Sequence, residues 1–162
     1  MNQKLLDQLD RQIKKLEKQI QELINSDEKL KKQSSLVQSV PGVGKVLSWT
    51  ILAKTNGFES IKTARKMACY SGIAPFDYQS GSSIYRRPRV SMFADKSMKS
   101  ILHLGAMSSI RLNNDLRKFY LRKVAEGKNK MSVLNAVRNK IILRIYAVIK
   151  RQTPYHADLV LS

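Results

Sequence analysis

The sequence is poor in the features that build cross-linked, zinc-binding or membrane-bound proteins. Its single cysteine, Cys69, excludes an intramolecular disulfide and a thiolate zinc cluster. No run of about 18 apolar residues occurs and the N-terminus is polar, so neither a membrane span nor a signal peptide is predicted. We therefore expect a protein of the reducing cytoplasm, with no membrane partner and with Cys69 as a buried thiol.

Acidic residues are also scarce. Lys and Arg number 30 against 12 Asp and Glu, which gives a net charge of +18. Residues 1–34 carry 8 basic and 6 acidic side chains, whereas residues 35–162 carry 22 and 6. The excess therefore lies almost wholly in the second segment, which favours a polyanionic partner. We expect this segment to bind nucleic acid in the cytoplasm or at the nucleoid; the alternative is a soluble basic protein with scattered lysines.

Glycine and proline are absent from residues 4–32, which predicts one uninterrupted helix. Apolar residues recur there in steps of three and four, and form a seam of Leu9, Ile13, Leu16, Ile20 and Leu23. This heptad pattern predicts a coiled coil that makes a homo-oligomer through residues 4–30. Asp27 falls on the seam, so the coiled coil is expected to end there. Parallel and antiparallel pairing are equally compatible, and a helical hairpin with its second helix outside this chain is the other alternative.

The rest of the chain is predicted to form a compact helical domain, residues 35–152, followed by a short frayed tail, residues 153–162. Together with the first helix this predicts an all-α fold. Helices are expected over residues 60–70, 94–113, 115–126 and 131–151. The last helix is apolar over a wide surface, so we expect it to be largely buried. The cations expected on its remaining solvent face are Arg138, Lys140, Arg144 and Arg151.

A glycine-containing motif at residues 36–48 is the most informative short segment. An apolar stretch ends at Pro41, a turn containing Gly42 and Gly44 follows, and a helix begins near Lys45. The pattern resembles a helix-hairpin-helix DNA-binding element, in which glycines let the backbone approach a phosphate at a helix N-terminus. We assign Gly42, Gly44 and Lys45 to nucleic-acid binding, with an ordinary glycine turn as the alternative. The spacing does not match a nucleotide-binding P-loop.

One long irregular stretch, residues 72–91, lies between predicted helices. Long loops inside compact domains are usually functional or disordered, and the serines and arginines of this basic loop favour a function. Its tyrosines, Tyr78 and Tyr85, are candidates for stacking on bases. No strong strand pattern is present, although residues 84–89 are able to pair briefly. Three arginines of the loop and two lysines of the next helix are assigned to nucleic-acid binding: Arg86, Arg87, Arg89, Lys96 and Lys99.

Several segments, in this order, resemble one family of DNA-rearranging enzymes. The family is the transposases of the insertion sequence 110/116/902 group, which are related to the Piv and MooV invertases. The similarity covers roughly residues 35–150, and the order and gaps of the segments make it specific. The segments are residues 40–45 (VPGVGK), 64–75 (ARKMACYSGIAP), 80–83 (SGSS), 86–91 (RRPRVS) and 101–107, with Phe119 and Tyr120.

The resemblance implies a two-part enzyme of which this chain is the C-terminal, DNA-binding part. An N-terminal RuvC-like domain would supply Asp and Glu side chains that hold a divalent metal such as Mg²⁺, and a helical linker similar to residues 1–34 would follow it. A serine of the Ser-Gly loop is considered the nucleophile that joins covalently to DNA in this family. It corresponds to Ser80, with Ser82 and Ser83 as alternates. Some members use a guide RNA, which makes RNA a second expected partner.

The chemistry of the loop is consistent with that role. A serine hydroxyl is a poor nucleophile until something accepts its proton, and a metal on the absent domain would activate it. Arg86, Arg87 and Arg89 would place positive charge on the phosphate oxygens during strand transfer. Without the resemblance, Ser80 would be read as an ordinary turn residue beside a glycine.

The sequence departs from the family pattern in two places. After residues 89–91 the family usually has a basic residue and a glycine, where this chain has residues 92–95 (MFAD). The acidic tetrad is also absent, because the acids of the second segment are scattered among cations. We therefore expect no metal site and no cofactor in this chain, and no DNA cleavage by the chain alone. His103, inside an apolar helix, is expected to be a packed side chain.

Two other functions fit the same residues. One is a non-catalytic helix-hairpin-helix module that binds nucleic acid in a nucleoid or repair complex. The other is a structural protein, dimerised by residues 4–30, whose charge serves only RNA association. The first predicts that Ser80 is dispensable for recombination. The second predicts that changes at Gly42 and at the loop arginines leave the affinity for DNA unchanged.

Overall fold

The computed structural model describes residues 2–74, 76–80, 84–90 and 92–156, with the backbone alone for residues 2, 76–80 and 84–89. In this part of the chain seven helices form the body and two strands form a hairpin between the fourth and fifth helices, which confirms the expected all-α class. None of these helices combines the length and apolar character that crossing a bilayer requires. The elements are α1 (Asn2–Ser26), α2 (Glu28–Gln38), α3 (Lys45–Thr55), α4 (Ala64–Tyr70), β1 (Phe76–Ser80), β2 (Ile84–Arg89), α5 (Lys96–Arg111), α6 (Asp115–Ala125) and α7 (Lys130–Arg151).

The first helix ends earlier than the sequence predicts. Asp27 has an extended backbone (φ −117°, ψ 115°), and its side chain accepts a hydrogen bond from the N–H of Leu30 at 3.0 Å. Asp27 therefore caps a second helix, and the prediction of one uninterrupted helix over residues 4–32 is wrong. The second helix, α2, is part of the body, because Leu36 and Val37 are buried and α2 packs against α3 and α7.

Most of α1 extends away from the body. Its predicted seam is exposed to solvent in the single chain, from 39% at Ile20 to 67% at Leu23. Ile24, one turn before the break, is buried where α1 meets α2. An exposed apolar row of this length is expected of a helix that pairs with another helix, so the coiled coil stays a prediction that the single chain does not test.

The core surrounds α7. This helix packs against α2, α4, α5 and α6, and five of its apolar side chains have no exposed surface: Val137, Ile141, Ile142, Ile145 and Val148. The expected burial of α7 is therefore confirmed. One of the cations expected on its solvent face is instead buried, since Arg138 is 6% exposed. Arg144 is half-buried, with 10% of its side chain exposed. Lys140 lies over the Phe119 ring, with 4.6 Å between the ammonium nitrogen and the ring centroid.

The glycine turn between α2 and α3 packs directly on α5. Gly42 has a φ of +87°, a conformation that L side chains rarely adopt, and a Cβ added there would lie 2.6 Å from the Cβ of Ser109. A Cβ on Gly105 would likewise lie 2.8 Å from the carbonyl oxygen of Gly42 and 2.9 Å from Leu47. The two glycines therefore let the turn and the helix touch backbone to backbone.

The stretch between α4 and α5 is more regular than the sequence suggests. β1 and β2 pair antiparallel, with Tyr78 opposite Arg86 and Ser80 opposite Ile84. The expectation of one irregular loop over residues 72–91 is thus wrong for the strands, and the brief pairing considered for residues 84–89 is confirmed. Each strand of a two-stranded sheet has a free edge, which is why Pro88 is tolerated in β2.

Two other boundaries differ from the expected ones. α4 begins at Ala64 rather than near residue 60, because the side chain of Thr63 accepts the Lys66 N–H and caps the helix. The tail is docked as far as Tyr155, whose backbone N–H donates to Ser39 Oγ at 2.8 Å. Residues 157–162 of the predicted tail lie outside the described part of the chain.

We predict that Gly42→Ala and Gly44→Ala differ sharply in stability. Gly42→Ala places a side chain against Ser109 and fixes an L residue at a positive φ, and should destabilise the chain by about 2–4 kcal/mol. Gly44 has nothing within 4 Å of the added Cβ and an extended backbone (φ −91°), so its substitution should cost about 1 kcal/mol or less. Urea unfolding of the two variants measures the difference; equal losses would contradict the packing role of Gly42.

Candidate nucleic-acid interface

The N-terminal turn of α5 lies at the base of the hairpin. Lys96 and Lys99 line one shallow depression together with Val90, Met92 and Ala94, the residues that lead from β2 into α5. Lys96 is exposed and Lys99 is half-buried. The structure therefore brings two of the predicted binding lysines next to the strand that carries the predicted arginines.

A second depression meets the first at Ala94. It has a volume of about 640 Å³ and lies between α4 and the segment that follows the hairpin. Phe93, at 98% exposed, is one of its walls, and its neighbour Met92 is 92% exposed. The other residues that line it are Ile61, Thr63, Arg65, Lys66, Cys69 and Tyr70. Cys69 is half-buried rather than buried, contrary to expectation.

The sequence did not lead us to assign Phe93, Arg65 or Lys66 to the nucleic-acid interface. The signal that was available is the departure from the family pattern at residues 92–95, where two large apolar side chains replace a basic residue and a glycine. Exposure of that pair is not a property of the local sequence, because it depends on how the segment between β2 and α5 packs beside α4.

Asp95 ties three helices together at this place. One carboxylate oxygen lies 2.8 Å from the ammonium of Lys54 on α3 and accepts the Tyr70 hydroxyl at 2.9 Å. The other oxygen accepts the N–H of Met98 at 2.9 Å and so caps α5. The backbone N–H of Asp95 donates to the carbonyl of Tyr70 at 2.8 Å. This single residue therefore positions the start of α5 against the ends of α3 and α4.

The ionisation of Asp95 reflects these contacts. The hydrogen bond from Lys54 and the one from the Met98 N–H lower the pKa of Asp95 from 3.8 to about 2. The pKa of Tyr70 is raised, by its burial and by the hydrogen bond to Asp95. Asp95 is thus a fixed anion at any physiological pH and is not a proton-transfer group.

The other acids of the helical body are also paired with cations. Asp115 and Arg144 form a close ion pair, and the ring of Tyr155 lies 5.0 Å from the Arg144 guanidinium carbon. Partial burial opposes the ionisation of Asp115, but the hydrogen bond and charge of Arg144 hold its pKa below the usual value. Two solvent-exposed pairs complete the set: Glu59 with Lys29 at 2.5 Å, and Glu126 with Lys123 at 2.6 Å.

No metal site is formed by the part of the chain that the structure describes. Within it, no group of three or more His, Cys, Asp and Glu side chains lies close enough to hold an ion. His103, one of the two histidines, is half-buried in α5 and its Nδ1 atom has no hydrogen-bond partner among the described groups. The residues present therefore do not fit a divalent metal.

The start of α3 presents the other part of the predicted interface. Gly44 is the N-cap of α3, no side chain caps this end, and both Gly44 and Lys45 are exposed. Gly42 faces α5 instead, where it contacts Gly105. Lys96 precedes Gly105 by nine residues, about 14 Å along the helix axis. The phosphate role of Gly42, Gly44 and Lys45 stays a prediction, for which Gly44 and Lys45 have the more accessible positions.

The predicted nucleophile lies at the end of the hairpin. Ser80 is the last residue of β1 and pairs with Ile84. Ser82 and Ser83, the alternates, lie outside the described residues. The three predicted arginines follow six, seven and nine residues later, and all of them, Arg86, Arg87 and Arg89, belong to β2. The hairpin therefore brings the backbone of Ser80 and of the three arginines into one small element.

Comparison with known proteins identifies the class to which this domain belongs. A profile described as "Transposase IS116/IS110/IS902 family" matches residues 34–121, more than half of the chain. The matched range runs from the middle of α2 to α6 and contains the glycine turn, the hairpin and both depressions. The chain belongs to the IS116/IS110/IS902 transposase family.

Individual relatives agree with this assignment. The pilin gene-inverting protein of Moraxella bovis is 31% identical over 144 residues, which are 88% of this chain and 45% of the relative. An uncharacterized 42 kDa protein of insertion element IS900 from Mycobacterium paratuberculosis is 29% identical over 77% of this chain and 31% of its own length. A probable family 20 transposase of Pseudomonas aeruginosa is 24% identical over 93% of this chain and 44% of its own. The chain thus spans less than half of each of these relatives.

We predict that Asp95→Ala destabilises the chain by about 3 kcal/mol, because it removes a helix cap together with charge-assisted hydrogen bonds. Asp95→Asn keeps the cap and should lose less than half as much. The folded-state pKa is depressed, so the advantage of wild type over Asp95→Asn should be present above about pH 4 and lost as the pH falls towards 2. Urea midpoints across this range measure it.

The matched control is Glu59→Gln, which removes a solvent-exposed ion pair and should leave the midpoint unchanged. An advantage of wild type over Asp95→Asn that has the same size at pH 7 and at pH 2 would show that the charge of Asp95 does not produce it.

Proposed function

We propose that this chain is the DNA-binding and strand-transfer domain of a longer transposase or recombinase. The observation that carries the proposal is family membership across residues 34–121, the range that holds the hairpin and the two lysines beneath it. The pilin gene-inverting relatives support a recombinase as readily as a transposase.

The electrostatics of the body favour DNA as the partner. Residues 35–162 carry 22 basic and 6 acidic side chains, and the described acids of the helical body already form ion pairs within the protein. The exposed cations that remain need counter-charges from outside the chain. A duplex supplies one phosphate charge per about 1.7 Å of its length. Binding of DNA at Lys96, Lys99 and the β2 arginines therefore releases counterions, and its strength depends on salt.

The open N-terminus of α3 is a second phosphate contact in this proposal. The first N–H groups of a helix point outward, and together with the helix dipole they favour an anion. Gly44 leaves this end free of side chains and Lys45 adds a positive charge. This is the role of the helix-hairpin-helix element, with Gly42 acting through its packing on α5.

Strand transfer is assigned to Ser80. In the proposed step the Ser80 Oγ–P bond forms and the bond between phosphorus and one deoxyribose oxygen breaks. The Ser80 hydroxyl proton passes to a proton acceptor, and the departing sugar oxygen takes up a proton to become a hydroxyl. Arg86, Arg87 and Arg89, in the same hairpin, would neutralise the phosphate oxygens. Ser82 and Ser83 are the alternates.

The remaining machinery is assigned to residues beyond this chain. The described residues hold no carboxylate cluster, whereas the relatives are more than twice as long as the segment they share with this chain. We propose that an N-terminal, RuvC-like domain of the longer protein holds Mg²⁺ and that this chain is the C-terminal part. A guide RNA is a second proposed partner, since the same cations suit RNA phosphates.

The oligomer is assigned to α1. Its exposed seam, with isoleucine and leucine at alternate heptad positions, would be buried against α1 of a second copy. Pairing would bring two DNA-binding bodies into one assembly, which recombination between two duplexes requires.

We predict that the affinity for duplex DNA falls linearly on a plot of log affinity against log salt. Changing Arg86, Arg87 and Arg89 together to Ala should reduce the slope by about 2.7, because each lost phosphate contact contributes about 0.9. The control changes Lys14, Lys15 and Lys18 to Ala, which removes the same charge from the exposed face of α1 and should leave the slope unchanged. A flat salt dependence in wild type would exclude phosphate-dominated binding.

We predict that Ser80→Ala reduces recombination by about a thousandfold or more, and removes the covalent DNA adduct, when this chain is joined to its metal-binding domain. Ser82→Ala, Ser83→Ala and the exposed Ser100→Ala should retain both. Loss at Ser82 or Ser83 instead would assign the nucleophile to that residue. Activity in all four variants would leave the non-catalytic binding module as the function of this domain.

We predict that the chain is a dimer in sedimentation experiments and that Leu16→Asp raises its dissociation constant by about a hundredfold or more, since it buries an unpaired charge. Lys15→Asp, one residue away and off the seam, should change it little. A wild-type chain that stays monomeric at high concentration would reject pairing through α1.

A further inference from the structure

The surface between α4 and the segment after the hairpin combines an exposed aromatic ring with cations. Phe93 is 98% exposed, and it lines the same depression as Arg65 and Lys66, which are both exposed. Single apolar residues are common on protein surfaces, but adjacent large ones mark interaction sites. Met92 and Phe93 form such a pair directly after the hairpin.

The charge around this surface selects an anionic partner. From Lys62 to Lys99 the sequence holds eight Lys and Arg and only two acids, Asp77 and Asp95. Asp95 is occupied by Lys54 at 2.8 Å and by the Tyr70 hydroxyl, so its charge is compensated within the protein. An apolar partner protein would gain nothing from the cations, whereas a polyanion with flat apolar faces uses both parts of the surface.

A nucleic-acid strand with unpaired bases has this chemistry. Each base offers a flat face on which an aromatic ring stacks, and each nucleotide carries a phosphate that pairs with lysine or arginine. In a duplex the base faces are hidden within the stack, so a duplex uses only the cations. Tyr70 is hydrogen-bonded to Asp95 and half-buried, which leaves Phe93 as the accessible ring of this depression.

We infer that Phe93 stacks on an unpaired base of a DNA strand while Arg65 and Lys66 bind the phosphates beside that base. The inference rests on the proposed function, since strand transfer frees a DNA strand at the hairpin and the depression adjoins the base of that hairpin. Stacking on Phe93 would keep the freed strand close to the hairpin that carries Ser80.

The test measures binding of the full 162-residue chain to a labelled oligothymidylate of about 16 nucleotides and to a duplex of equal length. Phe93→Ala should weaken binding of the single strand about tenfold and should leave binding of the duplex unchanged. Leu121→Ala, which shortens an exposed apolar side chain on α6 outside both depressions, is the control and should affect neither. Urea unfolding of the two variants checks that both are folded.

Varying the salt concentration separates the contribution of stacking to the affinity from that of charge. Phe93→Ala should lower the affinity for the single strand by the same factor at every salt concentration. Arg65→Ala combined with Lys66→Ala should instead reduce the salt slope by about 1.4, because each phosphate contact on a single strand contributes about 0.7. Phe93→Trp should bind the single strand more tightly than Phe93→Ala does. The fluorescence of the new tryptophan should be quenched by the single strand but not by the duplex.

Each result has a distinct meaning. If wild type binds neither oligonucleotide, the proposed function fails. If wild type binds both with a steep salt slope, and Phe93→Ala behaves as Leu121→Ala does, only the stacking site is rejected. Stronger binding of oligouridylate than of oligothymidylate, with the same loss in Phe93→Ala, would overturn DNA as the occupant in favour of RNA.

Discussion

A chain with a net charge of +18 stays folded only if burial of its apolar surface outweighs the repulsion between its cations, and here that burial is concentrated on α7. Four other helices pack against α7, and its central isoleucines have no exposed surface. The helices that carry the glycine turn and the hairpin are oriented by this one element. Even Arg138 and Arg144 are drawn into the packing, the second of them matched by Asp115.

The acids of the body serve its structure rather than its chemistry. Asp115 compensates the guanidinium of Arg144, and Asp95 caps α5 while it holds α3 and α4 in place. Because the few carboxylates are used for internal contacts, the surface is left with cations that have no internal partner. The same pairs that stabilise the fold thus leave the described surface of the body cationic, and they account for the lack of a metal-binding cluster among the described residues.

The sequence predicts those parts of the structure that depend on local periodicity. The buried face of α7 and the apolar seam of α1 follow from side-chain spacing, and the positions of Lys96 and Lys99 follow from the start of α5. The break at Asp27 is marked by no glycine or proline, and a cap takes effect only when α2 has a body to pack on. Of the hairpin only the brief pairing of residues 84–89 was predicted, because both strands are short and the second contains proline.

The candidate site likewise contains some residues that local sequence identifies and some contacts that only the packing creates. The hairpin arginines could be named from composition, but the link between Lys54, Tyr70 and Asp95 joins residues up to 41 positions apart on three elements, and no local pattern encodes it. Gly42 was assigned to a phosphate, whereas its closest neighbour is Gly105, 63 residues later. Exposure of Phe93 likewise results from how the segment after the hairpin packs beside α4.

The projecting helix α1 sets a length scale for any assembly that it mediates. With 25 residues it measures about 37 Å, close to the 34–36 Å of one turn of B-form DNA. In a parallel pair the two bodies would stand side by side at one end of the rod. In an antiparallel pair they would lie at opposite ends of the paired helices, about 37 Å apart. On a duplex parallel to those helices, the two bodies would contact the same face of the DNA one helical turn apart. The direction in which α1 pairs would therefore decide whether the two bodies contact one stretch of duplex or two stretches that lie one helical turn apart.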